Sequence, residues 1–189
     1  TLLGSLTSLH DLRLADNTFT GTIPTEIGML TLLEELTLQE NQLTGSLPTE
    51  IGLLTKLDKF GSHKNSLTGR LPTELGLLTA LGGEMRISDN SFIGPIPSEL
   101  GRLTNLEELR LGGNRLTGTI LSEIGLLSAL VRLELNENPL MGSIPSELGL
   151  LTQLTDLRLG SNNLTGTILP EFGTFAELKG LHLRNNSLT

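Results

Sequence analysis

The chain predicts an α/β solenoid of about eight 24-residue coils, with a parallel β-sheet on the inner face and irregular or 3₁₀ segments on the outer face. Three observations carry this. An asparagine recurs at positions 17, 41, 65, 90, 114, 138, 162 and 186, spaced by 24 residues at every step but one of 25. A pattern L-x-x-L-x-L precedes each of them. A Gly, usually a Pro and a brief Ser/Thr-Glu-hydrophobic-Gly segment follow. No unit of this length buries its leucines alone, so stacked neighbours must supply one continuous core.

The first element of each unit is a short strand. Leu36 and Leu38, Leu109 and Leu111, and Leu157 and Leu159 alternate with polar residues, the period of a strand with one buried face. Stacked at roughly 4.8 Å, such strands form a parallel sheet. Next, the chain turns inward at the Asn and leaves backbone groups without sheet partners. A buried primary amide supplies both donor and acceptor there, so Asn17, Asn41, Asn65, Asn90, Asn114, Asn138, Asn162 and Asn186 are expected to form an internal ladder rather than to touch a ligand. Gly21, Gly45, Gly69, Gly94, Gly118, Gly142 and Gly166 meet a backbone or close-packing demand that a Cβ would obstruct. The return arm is too short for an α-helix, which leaves a turn and about one turn of 3₁₀ helix.

Charge is organised by column. Glu26, Glu50, Glu74, Glu99, Glu123, Glu147 and Glu171 hold one equivalent position and account for nearly all of the net charge of -8. Each lies where a short helical turn begins and unpaired N–H groups favour an anion. The column reads as a local cap and solubility device. A divalent-cation ladder is the alternative, although hard cations need several convergent oxygens.

The solvent side of the strands is where recognition belongs. Its middle column runs Arg13, Thr37, Gly61, Arg86, Arg110, Glu134, Arg158 and His182, and the column two residues earlier runs Asp11, Glu35, Lys59, Glu84, Glu108, Arg132, Asp156 and Gly180. Asp11 with Arg13, Glu84 with Arg86, Glu108 with Arg110 and Asp156 with Arg158 are opposite charges pointing the same way, and Arg132 with Glu134 reverses the order. A self-compensating face argues against nucleic acid, which requires a net basic stripe. It suits a protein or peptide with complementary charges. Tyr and Trp are absent, so the usual interface anchors are missing. Phe19, Phe60, Phe92, Phe172 and Phe175 occupy leucine-like positions and read as core.

Two departures interrupt the repetition. Ser62 stands where other units have a core Leu or Ile, and the additional residue lies in Leu81-Gly82-Gly83-Glu84-Met85. Together they should weaken or bulge the sheet, by drift or for function. Lys59, His63 and Lys64 form a modestly basic spot there.

Catalysis finds no foothold. Cysteine is absent, which removes a thiol nucleophile and a cysteine zinc site. His63 and His182 are separated by about five coils, roughly 24 Å at strand spacing, and cannot share a metal. The carboxylates are periodic and exposed, and the glycines never form a phosphate loop. No cofactor is expected. No signal peptide, lipidation motif or apolar span of membrane length occurs, so this segment does not insert in a membrane.

Leu106-x-x-Leu109-x-Leu111-x-x-Asn114-x-Leu116-Thr117-Gly118 and Asn41-x-Leu43-Thr44-Gly45-x-Leu47-Pro48-x-Glu50-Ile51-Gly52-x-Leu54 resemble the plant-type leucine-rich repeat of receptor-like kinase ectodomains and polygalacturonase-inhibiting proteins. The Pro-Ser/Thr-Glu-Leu/Ile-Gly-Leu-Leu-Thr wording is also similar to diatom and algal leucine-rich-repeat proteins. The resemblance covers essentially the whole chain, although Leu121 and Leu169 stand where Pro is expected. It implies an extracellular or cell-surface recognition module for protein, peptide or glycan, with its ligand surface on the inner strand face. Carried over residue by residue, that surface comprises Arg13, Thr37, Lys59, His63, Arg86, Ser88, Glu108, Arg110, Arg132, Glu134, Asp156 and Arg158. Asn163 and Asn185 open glycosylation patterns. Two alternatives stand beside recognition: a structural coat, favoured by the uniformity of the units, and a binder of a repetitive target such as glycan, mineral or ice through ranks of Thr.

Residues 1–189 are expected as a single domain cut from a longer array, since Thr1-Leu2-Leu3-Gly4 matches Thr25-Glu26-Ile27-Gly28 and neither end carries a cap. A monomer is expected, with end-to-end association through apolar surface at Leu2-Leu3 or beside Leu183.

Overall fold

Leucines two apart bury one side of a strand only when further strands lie alongside. In the computed structural model, which describes residues 2–168 and 170–189, eight strands do so in parallel and in chain order. They are Asp11–Arg13, Glu35–Thr37, Lys59–Gly61, Glu84–Arg86, Glu108–Arg110, Arg132–Glu134, Asp156–Arg158 and Gly180–His182. Thr1 and Leu169 lie outside the described residues. The register runs Leu12, Leu36, Phe60, Met85, Leu109, Leu133, Leu157, Leu181. One apolar column therefore faces the core, and the residues on either side of it face out.

The return arms are 3₁₀ helices, such as Thr25–Met29, Thr49–Leu53 and Ser122–Leu126. Proline presets the extended entry, with Pro24 at φ -74 and ψ 145. Leu121 reaches φ -83 and ψ 146 in the same place, so a leucine serves where the unit ordinarily has proline.

Two sets of glycines do different work. Gly21 has φ +85 with open space around it, which is the backbone demand. The glycine of the Glu-hydrophobic-Gly segment is a packing demand that the repeat pattern alone did not single out. At Gly52 a Cβ would lie 2.7 Å from both the Cβ and the carbonyl oxygen of Glu74 in the next coil. Bare Cα atoms there let the outer arms stack as closely as the strands do.

The asparagine ladder is present. The Asn114 amide donates to Leu111 of its own coil (3.0 Å) and to Ile87 of the preceding coil (3.1 Å), and its oxygen accepts from the Phe92 N–H (3.1 Å). Asn41 through Asn186 repeat this pattern; Asn17, in the first coil, donates only to its own Leu14 and Ala15. Just before each Asn the chain passes through the left-handed region. Asp16, Glu40, Lys64, Asp89, Glu137, Ser161 and Asn185 have φ of 52 to 57, and Gly113 takes the same place in coil five.

A second ladder, absent from the sequence-based expectation, follows each Asn. It forms three short parallel sheets, of which the first contains Thr20–Thr22, Gln42–Gly45 and Ser66–Leu67. Its register steps, so that Thr22 pairs with Thr44 and Met141 with Asn163.

Between coils three and four the inner sheet is weakened, as expected, and the second ladder is reduced to the bridge of Arg70 with Ile93. The inner strands share two registered pairs there, Phe60 with Met85 and Gly61 with Arg86, where the joints on either side share three. The extra residue is absorbed at Gly82, whose N–H bonds to Asp58 Oδ1 at 3.1 Å. Ser62 is buried, and its hydroxyl oxygen has no hydrogen-bond partner. Phe19 corrects the core reading. It is 47% exposed, because the first coil is covered on one side only, whereas Phe60, Phe92 and Phe175 are buried and Phe172 packs partly against the core.

Asn114→Ala strands Phe92 N–H and carbonyls of two coils, and should cost about 2–3 kcal/mol in urea denaturation. Glu137→Gly removes a left-handed side-chain conformation and should gain about 0.5–1 kcal/mol by the same assay.

Candidate recognition face

Residues flanking the apolar column on the outward side carry the charge. Six cations, Arg13, Lys59, Arg86, Arg110, Arg132 and Arg158, meet six carboxylates, Asp11, Glu35, Glu84, Glu108, Glu134 and Asp156. The same-strand pairs form at 3.7 Å for Asp11–Arg13, 2.5 Å for Glu84–Arg86, 2.7 Å for Glu108–Arg110 and 2.9 Å for Asp156–Arg158. Pairs between coils join them. Arg13 reaches Glu35 at 2.6 Å, Lys59 reaches Glu84 at 3.1 Å and Glu35 at 3.8 Å, and Arg86 reaches Glu108 at 3.0 Å. Arg132 bridges Glu108 at 3.5 Å and Asp156 at 3.3 Å, while Arg158 reaches Glu134 at 3.5 Å. The result is one connected, charge-neutral lattice along the sheet, ending at His182, 3.9 Å from Asp156.

Single exposed ion pairs contribute little, about 0–1 kcal/mol. Parts of this lattice are less exposed, with the Glu134 and Asp156 side chains 12% accessible. Burial pushes the Glu108 carboxyl up, but hydrogen bonds from Arg86 and Arg110 and their charges outweigh it and hold the group below its ordinary 4.5. The hydrogen bond to Asp156, against some burial, raises Arg158, and that to Glu35 raises Arg13.

Of the residues the sequence singled out, Arg13, Lys59, Arg86, Glu108, Arg110, Arg132, Glu134, Asp156 and Arg158 share this lattice. Thr37, His63 and Ser88 stand outside it. Thr37 is 5% exposed and lies beside Gly61 in the register, so the middle column carries no charge across coils two and three. His63 and Ser88 belong to the next outward column toward the Asn turn. That column also holds Gln39, Asn136 and Arg184, which the strand pattern did not reach; extending the face by one alternation finds them. Asn136 and Arg184, with Arg158, Gly160, Ser161 and His182, line an open cavity of about 340 Å³ near the last coils.

The basic spot needs correction. Lys59 is neutralised by Glu84 and Glu35, Lys64 by Glu40 at 2.6 Å, and burial together with Arg86 and Lys64 holds the His63 imidazole below its ordinary 6.5. The outer acidic column differs in detail from a helix cap. Glu50, Glu74, Glu123 and Glu147 each accept from the hydroxyl just before them, at 3.1 to 3.3 Å. Asn163 and Asn185 are both exposed. Among the described residues no group of three His, Cys, Asp or Glu could hold a metal ion, and no helix is long and apolar enough to cross a membrane.

A family model described as Leucine Rich Repeat matches residues 8–30, 32–54, 105–127, 129–151 and 153–175. No curated protein matches the chain. Solved structures do. A plant peptide hormone receptor, RGFR1 in complex with RGF2, is 39% identical with a TM-score of 0.96, over 98% of this chain and 30% of that one. The Arabidopsis receptor kinase HAESA, in complex with the peptide hormone IDA and the co-receptor SERK1, is 36% identical with a TM-score of 0.94, over 99% and 31%. A plant ice-binding protein is 28% identical with a TM-score of 0.85, over 98% and 60%. The chain thus spans less than a third of these two receptor chains.

His63 and Glu108 both favour the deprotonated form in the folded state, so acid should destabilise in two windows. The lowered His63 pKa makes stability fall as pH drops below 6.5, where the unfolded imidazole takes up its proton first. Stabilisation by Glu108 is present above 4.5 and is lost as pH falls through its lower folded value. Urea midpoints measured against pH should lose the first limb in His63→Gln and part of the second in Glu108→Gln.

Proposed function

The chain belongs to the leucine-rich repeat family, and from that premise we propose a non-catalytic recognition module that binds a protein or peptide on its inner strand face, as part of a larger receptor or surface protein. The observation that carries this is the likeness, over nearly the whole chain, to receptor ectodomains solved with peptide hormones. The geometry supports it. A face whose long side chains are already held in one ion-pair lattice loses little conformational freedom when a ligand docks. Its neutrality leaves no attraction for nucleic acid. The same likeness supports an extracellular or cell-surface location, in which exposed Asn163 and Asn185 are the glycan acceptors. The module works as a monomer, with apolar edges at coils one and eight as the route to end-to-end association.

A second reading, a repetitive target such as ice, is favoured by the likeness to the plant ice-binding protein and by hydroxyl ranks on the second ladder. Thr22, Thr44 and Ser66 align there, as do Ser143, Thr165 and Ser187. Arg70, Ile93 and Arg115 interrupt the rank between them, which favours peptide over lattice.

Peptides selected from a random displayed library against the folded chain test both readings. Gly112→Arg places a long side chain on the inner face, where the nearest atoms to a Cβ belong to the flexible end of Asn136. It should weaken selected peptides about tenfold, while Glu74→Gln on the outer column leaves them unchanged. Binders that ignore Gly112→Arg, together with inhibition of ice recrystallisation by the wild-type chain, would move the weight to the second reading.

A further inference from the structure

The middle column of the inner face carries no charge at Thr37 and Gly61, and this step is filled in an unusual way. The Gln39 side chain lies over Gly61, its Oε1 only 2.9 Å from where a Cβ would be. That oxygen is buried and accepts no hydrogen bond, and the Nδ1 of His63, in the same column one coil on, is likewise buried and unpartnered. A buried polar atom left without a partner is destabilising. Gln39 is therefore held in a position that its own chemistry disfavours.

We propose that Gln39 is a displaceable plug, and that the trough above Thr37 and Gly61 is the anchor point for an uncharged amide of a bound peptide, either a backbone amide or an Asn or Gln side chain. This rests on the inner-face reading above and specifies where and what that face grips. On ligand docking Gln39 swings outward, its carbonyl gains a donor from the ligand, and the ligand amide occupies the space over Gly61.

The charge of the ligand group follows from the surroundings. Arg13 stands beside Thr37 and Arg86 beside Gly61 in the register, Lys59 shares the Gly61 strand, and each already has a carboxylate partner. An incoming cation or carboxylate would compete with ion pairs already in place. His63 is held in its neutral form at neutral pH by burial and by Arg86 and Lys64, so it offers one neutral site, donor or acceptor by tautomer. A neutral amide carries both a donor and an acceptor and disturbs no pair.

The test uses two variants and the library-selected peptides. Gln39→Met keeps the length of the plug and removes its unpaired oxygen, and Gly61→Thr fills the trough with a residue suited to a strand. Gly61 lacks a positive φ, and the neighbour a Cβ would meet is the movable end of Gln39. Gln39→Met is expected to unfold at an equal or higher urea midpoint and yet bind the peptides about tenfold more weakly. Gly61→Thr should lose binding by a similar factor. A purely structural role for Gln39 predicts the opposite, a lower midpoint with binding intact, and overturns the proposal. Peptides weakened by Gly112→Arg but indifferent to both variants also overturn it, while leaving the inner-face reading standing. Peptides indifferent to all three variants remove that reading together with the plug.

Discussion

One side chain per coil fixes the pitch of the whole molecule. The amide of Asn114 donates to a carbonyl of coil four and accepts an N–H from the same coil, so it measures the distance between neighbours at two atoms simultaneously. With Asn41 to Asn186 repeating this, successive strands fall into register and the leucine column closes. Only then do Arg86 and Glu108, from different coils, come within 3.0 Å. The outer arms must keep the same pitch, which is why the glycines beside the Glu column carry no Cβ where the next arm passes. Hydrogen bonding sets the spacing on the inside and steric exclusion preserves it on the outside.

The inner face shows how a stack of near-identical units becomes specific. Twelve charged groups cancel one another and leave no net field. What distinguishes one part of the face from another is therefore where pairing fails. It is thinnest at Thr37 and Gly61, where two neutral residues follow each other in the middle column and the unpartnered oxygen of Gln39 covers the step. It relaxes again near the last coils, where Gly160 and His182 open a polar cavity beside Arg184. Departure from repetition, rather than charge, marks the places where a ligand could be told from another.

Fold and period were legible because each is written eight times: the leucine alternation, the Asn turn and the short 3₁₀ arm all stand where their spacing puts them. The same-strand ion pairs were legible too, since alternation places Glu84 and Arg86 on one side of the sheet. Pairs between coils were not, because Lys59 with Glu84 or Arg132 with Asp156 depend on a stagger that only packing decides. The left-handed residues escaped notice because Glu40, Lys64 and Glu137 carry no compositional sign of positive φ; Gly113 at the equivalent place was the one hint. The second ladder is built from segments of two to four residues interrupted by glycine, too short for alternation to register. Phe19 misled because position within the unit matched core while position within the stack did not.

A one-dimensional array couples its units only through their neighbours. Between coils three and four the inner ladder drops a registered pair and the outer ladder is the single bridge of Arg70 with Ile93, while backbone hydrogen bonds such as that from the Ser62 N–H to the Arg86 carbonyl carry the joint. A change of spacing at that joint therefore reaches Gly61 and Arg86 first, on the inner face itself.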